Sequence, residues 1–510
     1  MSKVFLTPYG GVNRIGGNIF LIEDSNSKVF LDFGLDFEKY RLYFDFPMNL
    51  PQTTSELIIT GILPKICSCN GKQFFQYCEV EKRGEKGGKG WNVIEAPPDE
   101  DFSVIISHAH LDHIANSIYL PSSVPIWLST FSKLSFLTRY LIKRDKGNRL
   151  DYKLALSPKI KEKGYSIEKP ELEFLRNKYQ IFRNNVPFKV QDTLVEPYAV
   201  DHSIPGAFGF LLRTKDSIIA YTGDFRMHGV AEFFSKKFFE YLSKERVDYF
   251  ICEGTNLGLN QVRDEKEVES SIELALKKFF DHGGEHAIIV LSQTNIDRIS
   301  KMYGIARKMG LNFYVSDEIF LLIYYILSGE LKERIISPLP AIVKNHTLEE
   351  KAREHWPGSN EVKSYGVLLG NDKELKSLAE KLSLNSADEN DLSKIPPKSM
   401  ILLHSLPSML HKKFSKNSLI IVSTTEHENE ESLYDLERFI NQAMLIGVPL
   451  LRTHSSGHAS VIDLIEVIKT VNPRNLIPVH TQHQDFFKSY FEKLFGINTI
   501  IPKEGQPITL

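Results

Sequence analysis

The sequence predicts an α/β protein whose first domain is interrupted by an inserted parallel α/β unit. Short apolar runs separated by turn residues fill the first half of the chain, as expected for strands. After residue 253, apolar strands alternate with amphipathic helices, which is the pattern of a parallel α/β unit. A last apolar run near the end indicates a return to the first domain. We therefore expect the first domain to comprise 1–253 and 453–510, and the inserted unit to comprise 254–452.

Hydrophobic periodicity and turn residues predict the individual elements. A hairpin is expected at 18–32, and further strands are expected at 103–107, 208–213, 217–222, 248–252, 287–292 and 476–479. In the inserted unit Val268, Ile272 and Leu276 recur at helical spacing, and Gly283 and Gly284 end that helix. Composition predicts a Lys/Arg-rich helical region at 123–190, an irregular insertion at 36–100 and a polar linker at 385–398.

Composition and charge narrow the class of protein. The 510 residues carry a net charge of −2, so no overall positive field attracts a polyanion, which would have to bind to local patches or to a metal. The longest apolar run, 319–327, is far too short to span a membrane, and the N-terminus lacks the apolar core of a signal peptide. We expect a cytoplasmic protein without a membrane partner.

The few cysteines do not form a disulfide framework. Of the four, Cys67, Cys69 and Cys78 lie in one Gly- and Lys-rich region. They either form part of a small metal site or are reduced, unliganded thiols. The second interpretation is favoured because a closed zinc site requires four ligands.

The strand predicted at 103–107 runs into an unusual cluster of side chains. His108, His110, Asp112 and His113 follow it within the sequence HAHLDH. Three imidazoles and a carboxylate in so short a span do not fit comfortably around one tetrahedral ion, but they suit two ions a few ångströms apart. Zinc is favoured by this mixture of ligands, and manganese is the main competitor.

Three distant residues share the position of this cluster at the end of an apolar run. His202, Asp224 and His480 each follow a predicted strand. Any one of them alone could be an ordinary structural residue. Since all of them lie where a sheet gathers its functional loops, we expect them to complete a dinuclear metal site.

These motifs resemble the signature series of the metallo-β-lactamase superfamily: HAHLDH, the His of HSIPGA, the Asp of YTGDF and, in VFLDFG, the supporting aspartate Asp32. The resemblance implies an αββα sandwich, in which two sheets stack between helices, and two Zn²⁺ ions per chain, with Mn²⁺ as the alternative. It implies that one metal is bound by His108, His110 and His202, the other by Asp112, His113 and His480, and that Asp224 bridges them.

The region between Asp224 and His480 points to one subgroup. The chain between them is far longer than a simple hydrolase domain needs, and Glu253 in ICEGTN, His458 in SSGHAS and His480 in PVH resemble the motifs of the β-CASP nucleases, most closely the RNase J-like branch. The resemblance implies that two metals activate water at a phosphodiester. It makes His458 the general acid, held by Glu253.

The SSGHAS loop has two interpretations. In RNase J-like enzymes such a loop binds a phosphate of the terminal nucleotide, which implies 5′→3′ exoribonuclease action with endonuclease activity as an addition. The alternative is a tight turn entering a helix. The phosphate candidates are His454, Ser456, Gly457, Ala459, Ser460 and Ser203.

The sequence also departs from that branch. A Thr-Gly-Ser loop is missing around 400–410, and the chain ends soon after His480, so we expect no C-terminal domain, and a homo-oligomer is open but not assured. Basic and aromatic residues in the insertion at 36–100 offer a strand-binding patch, although a solvated loop is favoured.

Single-stranded RNA is the expected partner, and three other functions stay open. A DNA nuclease of the same subgroup would use the same metal ligands. The inserted unit argues against a small-molecule hydrolase, and the intact ligands argue against a scaffold protein without catalysis.

Overall fold

The structure is a computed structural model of the 510-residue chain. It describes residues 4–44, 54–64, 78–83, 89–94, 102–120, 124–136, 157–161, 164–168, 179–258, 263–292, 294–328, 365–369, 376, 379–380, 384–404, 410, 412–415, 417–424 and 430–510. The statements below concern these residues.

Two seven-stranded sheets form the centre of the first domain. The first sheet has the strand order Tyr179–Ile181, Ile126–Leu128, Ser103–Ile105, Lys28–Leu31, Phe20–Glu23, Phe5–Pro8, Ile508–Thr509. The second has the order Phe188–Val190, Thr193–Ala199, Phe208–Arg213, Ile218–Tyr221, Tyr249–Glu253, Asn475–Val479, Asn498–Thr499. Leu6 and Val29 of the first sheet share one buried core with Phe210 and Ile219 of the second, so the two sheets stack face to face.

Helices cover the outer face of each sheet. The first sheet is covered by Phe37–Tyr43 and Thr54–Ile59, whose Tyr40 and Leu57 lie in one cluster with Phe30. The second is covered by Glu232–Lys244 and Val461–Val471, whose apolar faces pack on strand residues. This arrangement is the αββα sandwich that the family resemblance implies. None of the helices described is long and apolar enough to cross a membrane.

The inserted unit contains a third seven-stranded sheet, and every strand pair in it is parallel. Its strand order is Asn385–Asp388, Tyr365–Leu369, Asn312–Ser316, Ser399–Leu403, His286–Leu291, Ser418–Ser423, Leu450–Arg452. Its helices are Glu265–Asp281, Ile296–Lys308, Asp317–Ser328 and Glu430–Leu445, and apolar clusters lie on both faces of the sheet. The inserted α/β unit is therefore confirmed, whereas its exact bounds at 254 and 452 stay a prediction.

The short elements near the sheet ends are Leu111–Ile114, the 3-10 turns Ala115–Tyr119 and Leu392–Lys394, and the C-terminal series Gln484–Phe487, Lys488–Glu492 and Lys493–Phe495.

Ala109 and Ile204 of the first domain lie in the same apolar cluster as Val268 and Ile299 of the inserted unit. The loops that carry the metal-ligand candidates thus pack directly against the inserted helices.

Three composition-based predictions were wrong in part, as judged from the described residues. The region 123–190 contains several strands, one of which, Tyr179–Ile181, pairs with Ile126–Leu128. The insertion 36–100 contains helices and the hairpin of Cys78–Arg83 with Lys89–Ile94, and the linker 385–398 contains the strand Asn385–Asp388. The strands Tyr179–Ile181 and Asn385–Asp388 depend on pairing with partners elsewhere in the sequence, which local composition does not reveal. Cys67, Cys69 and the 405–409 part of the expected Thr-Gly-Ser position lie outside the described residues.

Candidate metal centre and proton-donor pair

The seven predicted metal ligands meet at one edge of the sandwich, where strands of both sheets end. Their nitrogen and oxygen atoms form two groups, and within each group all ligand atoms lie within 4.8 Å of one another. Asp224 belongs to both groups. The first group is His108, His110, His202 and Asp224, and the second is Asp112, His113, His480 and Asp224.

The first group has the spacing of ligands around one ion. His110 Nδ1 lies 3.0 Å from His108 Nε2 and 3.0 Å from His202 Nε2. Asp224 Oδ2 lies 3.6 Å from His108 Nε2 and 3.9 Å from His202 Nε2. Tetrahedral zinc with bonds of about 2.0–2.1 Å places its ligand atoms roughly 3.3 Å apart, so the donors fit such an ion.

The second group is arranged around the same carboxylate oxygen. Asp224 Oδ2 lies 2.9 Å from His113 Nε2 and 3.8 Å from His480 Nε2. Asp112 Oδ2 lies 3.1 Å from His480 Nε2 and 3.6 Å from His113 Nε2. One carboxylate thus lies between two sets of imidazoles. The donor set is that of a metal-binding centre.

Four of the ligand histidines are oriented by a hydrogen bond on the ring nitrogen that faces away from the cluster. His113 Nδ1 lies 2.8 Å from Asp32 Oδ2, and His108 Nδ1 lies 3.0 Å from the Ser107 hydroxyl. Similar contacts join His202 Nδ1 to the Gly457 carbonyl and His480 Nδ1 to the Thr255 hydroxyl. In each case the Nε2 lone pair is left to face the metal position.

Asp32 supports this arrangement from behind the ligands. Its carboxylate accepts hydrogen bonds from the Ser107 amide at 2.6 Å, the Ser107 hydroxyl at 2.8 Å and the Tyr221 hydroxyl at 2.6 Å. Asp32 and His480 both have positive φ angles, 59° and 50°. Such backbone conformations cost energy in residues other than glycine and are concentrated at functional sites.

The electrostatic environment differs between the two groups. Burial and neighbouring imidazoles hold the pKa of His108 and His202 well below the usual value, so these rings are neutral and can bind metal without releasing a proton. Burial alone would raise the pKa of Asp224, but His113 and other nearby imidazoles hold it well below its usual range. Burial would likewise lower the pKa of His113, which the surrounding carboxylates raise.

Glu253 and His458 form a pair beside the metal centre. His458 Nδ1 lies 3.0 Å from Glu253 Oε2 and 3.8 Å from Asp224 Oδ2. Glu253 is 1% exposed, and its other oxygen accepts a hydrogen bond from the Phe225 amide. The pair combines with Asp224 and His480 into a third group with metal-like spacing, so the geometry alone permits His458 to be a ligand or a proton donor.

The loop 454–460 shows features both of a tight turn that enters a helix and of a phosphate-binding loop. Ser460 caps the helix Val461–Val471 through a hydrogen bond from the Asp463 amide, and Ala459 lies in the apolar core. These two residues therefore have structural roles. The hydroxyl of Ser456 contacts the side chain of Asn256 at 3.0 Å.

Other parts of the loop retain binding capacity. His454 Nε2 and the hydroxyl of Ser455 are buried without a hydrogen-bond partner among the described residues. Gly457 must be glycine, because a Cβ there would lie 2.8 Å from the Ser203 Cβ and 3.0 Å from His202 Cε1. Ser203 therefore lies against the loop, close to the other phosphate candidates.

Several important residues were not predicted. Thr255 and Asn256 lie two and three residues after Glu253 in EGTN. They contact His480 and the 454–460 loop, so their position just after a strand end was an available signal. The buried side chains of Arg226, Glu265 and Arg298 join the two units by hydrogen bonds of 2.6–2.7 Å. Nothing local in the sequence marks them as partners.

Comparisons with known proteins agree with this fold and with a metal-dependent hydrolase. Residues 452–502 match the family model of the Zn-dependent metallo-hydrolase RNA specificity domain. Over 95% of its length the chain is 22% identical to ribonuclease J of Mycoplasma pneumoniae, 68% of which it covers. It is 21% identical to ribonuclease J of Methanocaldococcus jannaschii, over 94% of this chain and 91% of that protein. For ribonuclease J of Helicobacter pylori the identity is 22%, over 94% of this chain but 56% of that protein.

A solved structure supports the fold. The crystal structure of a protein of unknown function from Enterococcus faecalis V583 superposes with a TM-score of 0.67 and 20% identity, over all of both chains. By its fold, its motifs and these similarities, the chain resembles the ribonuclease J-like proteins of the metallo-β-lactamase superfamily and its β-CASP subgroup.

Proposed function

We propose that this protein is a metal-dependent ribonuclease that hydrolyses phosphodiester bonds in single-stranded RNA with two Zn²⁺ ions per chain. Mn²⁺ is the alternative metal. The observation that carries the proposal is the position of the Glu253–His458 pair, 3.8 Å from the shared Asp224 oxygen of a two-ion donor set. A hydrolase of phosphodiesters needs both a charge-stabilising centre and a proton donor for the leaving oxygen.

Each part of the chemistry is assigned to particular residues. When bound by the seven ligands, the metals would stabilise the phosphate charge and lower the pKa of water. His458 donates a proton to the leaving oxygen from Nε2, because Nδ1 is directed to Glu253 at 3.0 Å. The Glu253 carboxylate stabilises the protonated ring and fixes its orientation.

The loop 454–460 would bind a phosphate of the terminal nucleotide. His454 Nε2 and the Ser455 hydroxyl need an acceptor, and the N-terminus of the helix Val461–Val471 adds the positive end of a helix dipole. Gly457 permits close approach of the backbone. We therefore propose 5′→3′ exonuclease action, with His454, Ser455, Ser456 and Ser203 as side-chain contacts. Ala459 and Ser460 would contribute their backbone only.

One experiment tests the substrate, the polarity and the requirement at the 5′ end together. Zn²⁺- and Mn²⁺-loaded protein would be incubated with RNA and DNA strands that carry a 5′-monophosphate, a 5′-hydroxyl or an internal label. We expect mononucleotides released from the 5′ end, fastest for monophosphorylated RNA. Equal cleavage of DNA would favour the DNA nuclease instead. Absence of cleavage of either polymer by protein with two bound metals would refute the proposal.

A further inference from the structure

The hydroxyl of Thr255 lies between the proton-donor pair and the metal centre. Its Oγ1 atom is 2.6 Å from Glu253 Oε2 and 2.7 Å from His480 Nδ1. Thr255 is 5% exposed, so water does not compete strongly for these contacts. Thr255, two residues after the end of the strand Tyr249–Glu253, thereby contacts two side chains that are far apart in the sequence.

The directions of the two hydrogen bonds follow from the groups involved. An ionised carboxylate only accepts, so the Thr255 hydroxyl donates its proton to Glu253. A weaker acceptor, the His480 carbonyl, lies farther away at 3.3 Å. The lone pair of the hydroxyl then accepts the Nδ1 proton of His480. This fixes the tautomer of His480 whose Nε2 lone pair faces Asp112 and Asp224.

The same carboxylate oxygen serves His458. Glu253 Oε2 accepts from the Thr255 hydroxyl and contacts His458 Nδ1 at 3.0 Å. We propose that Thr255 is a positioning residue that orients His480 for metal binding and aligns Glu253 on His458. For His480 it has the role that Asp32 has for His113 and Ser107 has for His108. The part that concerns His458 rests on the proposed ribonuclease function, whereas the part that concerns His480 requires only metal binding.

The test separates the hydroxyl from the shape of the side chain. Thr255→Val keeps the shape and removes the hydroxyl, and Thr255→Ser keeps the hydroxyl. Zinc affinity of metal-depleted protein would be measured by competition with a chromogenic chelator. We expect one of two zinc equivalents to bind about 10- to 100-fold more weakly in Thr255→Val and to recover most of its affinity in Thr255→Ser.

A matched control variant and a second pair of Thr255 variants complete the test. Thr499→Val removes an equally buried hydroxyl, which among the described residues donates a hydrogen bond to the Ile497 carbonyl and to none of the ligand candidates, and should leave both zinc affinities unchanged. If Thr255→Val does not fold, Thr255→Ser is compared with Thr255→Ala, which differs from it only by the hydroxyl. Equal zinc affinities within the pair of variants would overturn the inference.

The readout distinguishes this inference from the proposed function. Zinc affinity needs no RNA, so a protein that cleaves no RNA can still show the effect of Thr255 on His480. Conversely, an active ribonuclease whose Thr255→Val variant binds two zinc ions with native affinity would retain the function and contradict the inference.

Discussion

His458 Nδ1 lies 3.0 Å from Glu253 Oε2, although 205 positions separate the two residues in the chain. Glu253 ends the strand before the inserted unit, and His458 follows the last strand of that unit. The strands and helices of the inserted unit therefore lie, along the chain, between Glu253 and His458. Any displacement of this unit relative to the sandwich would change the position of the proton donor relative to the metal centre.

His458→Ala is expected to lower kcat for RNA hydrolysis by about 100- to 10,000-fold, because the leaving oxygen loses its proton donor. Bound metal should remain at the wild-type stoichiometry, measured by inductively coupled plasma mass spectrometry. Glu253→Gln should lower kcat less, since the ring remains but loses the stabilising charge. A drop to one metal equivalent in His458→Ala would instead identify His458 as a ligand, as the spacing of its group permits.

Asp112→Ala is expected to remove the metal bound by the second group while the fold is retained. Asp112 Oδ2 lies 3.1 Å from His480 Nε2, but the first group contains no atom of Asp112. One metal equivalent should therefore remain, and RNA cleavage should be abolished because the charge-stabilising centre is incomplete. Metal content, circular dichroism and RNA cleavage are the measurements. Wild-type cleavage by this variant would contradict the assignment of the second group.

Gly457→Ala is expected to weaken both metal binding and RNA cleavage, since its Cβ would lie 3.0 Å from His202 Cε1 and 2.8 Å from the Ser203 Cβ. The loop or the His202 ring must move to relieve these contacts. Gly304→Ala is the matched control: it lies within the helix Ile296–Lys308, and its Cβ would meet nothing within 4 Å. That control should be as active as wild type and slightly more stable, by about 0.5–1 kcal/mol. Equal zinc affinities of the two variants would show that the loop tolerates a Cβ.

The candidate metal centre was predictable from the sequence because each ligand candidate lies within a few residues of the end of an apolar run. His108, His202 and Asp224 are fixed by strands whose ends meet at one edge of the sandwich, and the apolar pattern of those strands is local. Arg226 and Thr255 could not be assigned in this way. Their partners, Glu265 and His480, are brought close by packing between elements that are distant in sequence. The same reason explains the missed strand Tyr179–Ile181, which pairs with Ile126–Leu128.

Lowering the pH is expected to destabilise the fold partly through His454. Burial, with the nearby Arg298 guanidinium, lowers the pKa of His454 from 6.5 to about 3 in the folded protein. The unfolded chain therefore binds a proton near pH 6.5 that the folded protein does not bind, and stability falls as the pH decreases from about 6.5 towards 3. His454→Gln should reduce the slope of unfolding free energy against pH by at most about 1.4 kcal/mol per pH unit in this range. The slope is measured by urea unfolding of the metal-free wild-type and His454→Gln proteins at several pH values. Identical slopes for the two proteins would contradict the expectation.

Glu265→Gln is expected to destabilise the contact between the sandwich and the inserted unit. The Glu265 carboxylate accepts from Arg226 Nη1 at 2.7 Å and from Arg298 Nη2 at 2.6 Å, and the two guanidinium groups are 0% and 2% exposed. Removing the charge of Glu265 leaves the two buried guanidinium groups without their full countercharge. Loss of one partner of a buried ion pair typically lowers the free energy of unfolding by about 3–5 kcal/mol. Glu240→Gln breaks only the exposed pair with Lys244 and should leave the urea midpoint unchanged. Because Arg226 also contacts Asp201, next to His202, the zinc affinity of Glu265→Gln should fall as well. A native urea midpoint would mean that this network does not stabilise the contact between the two units.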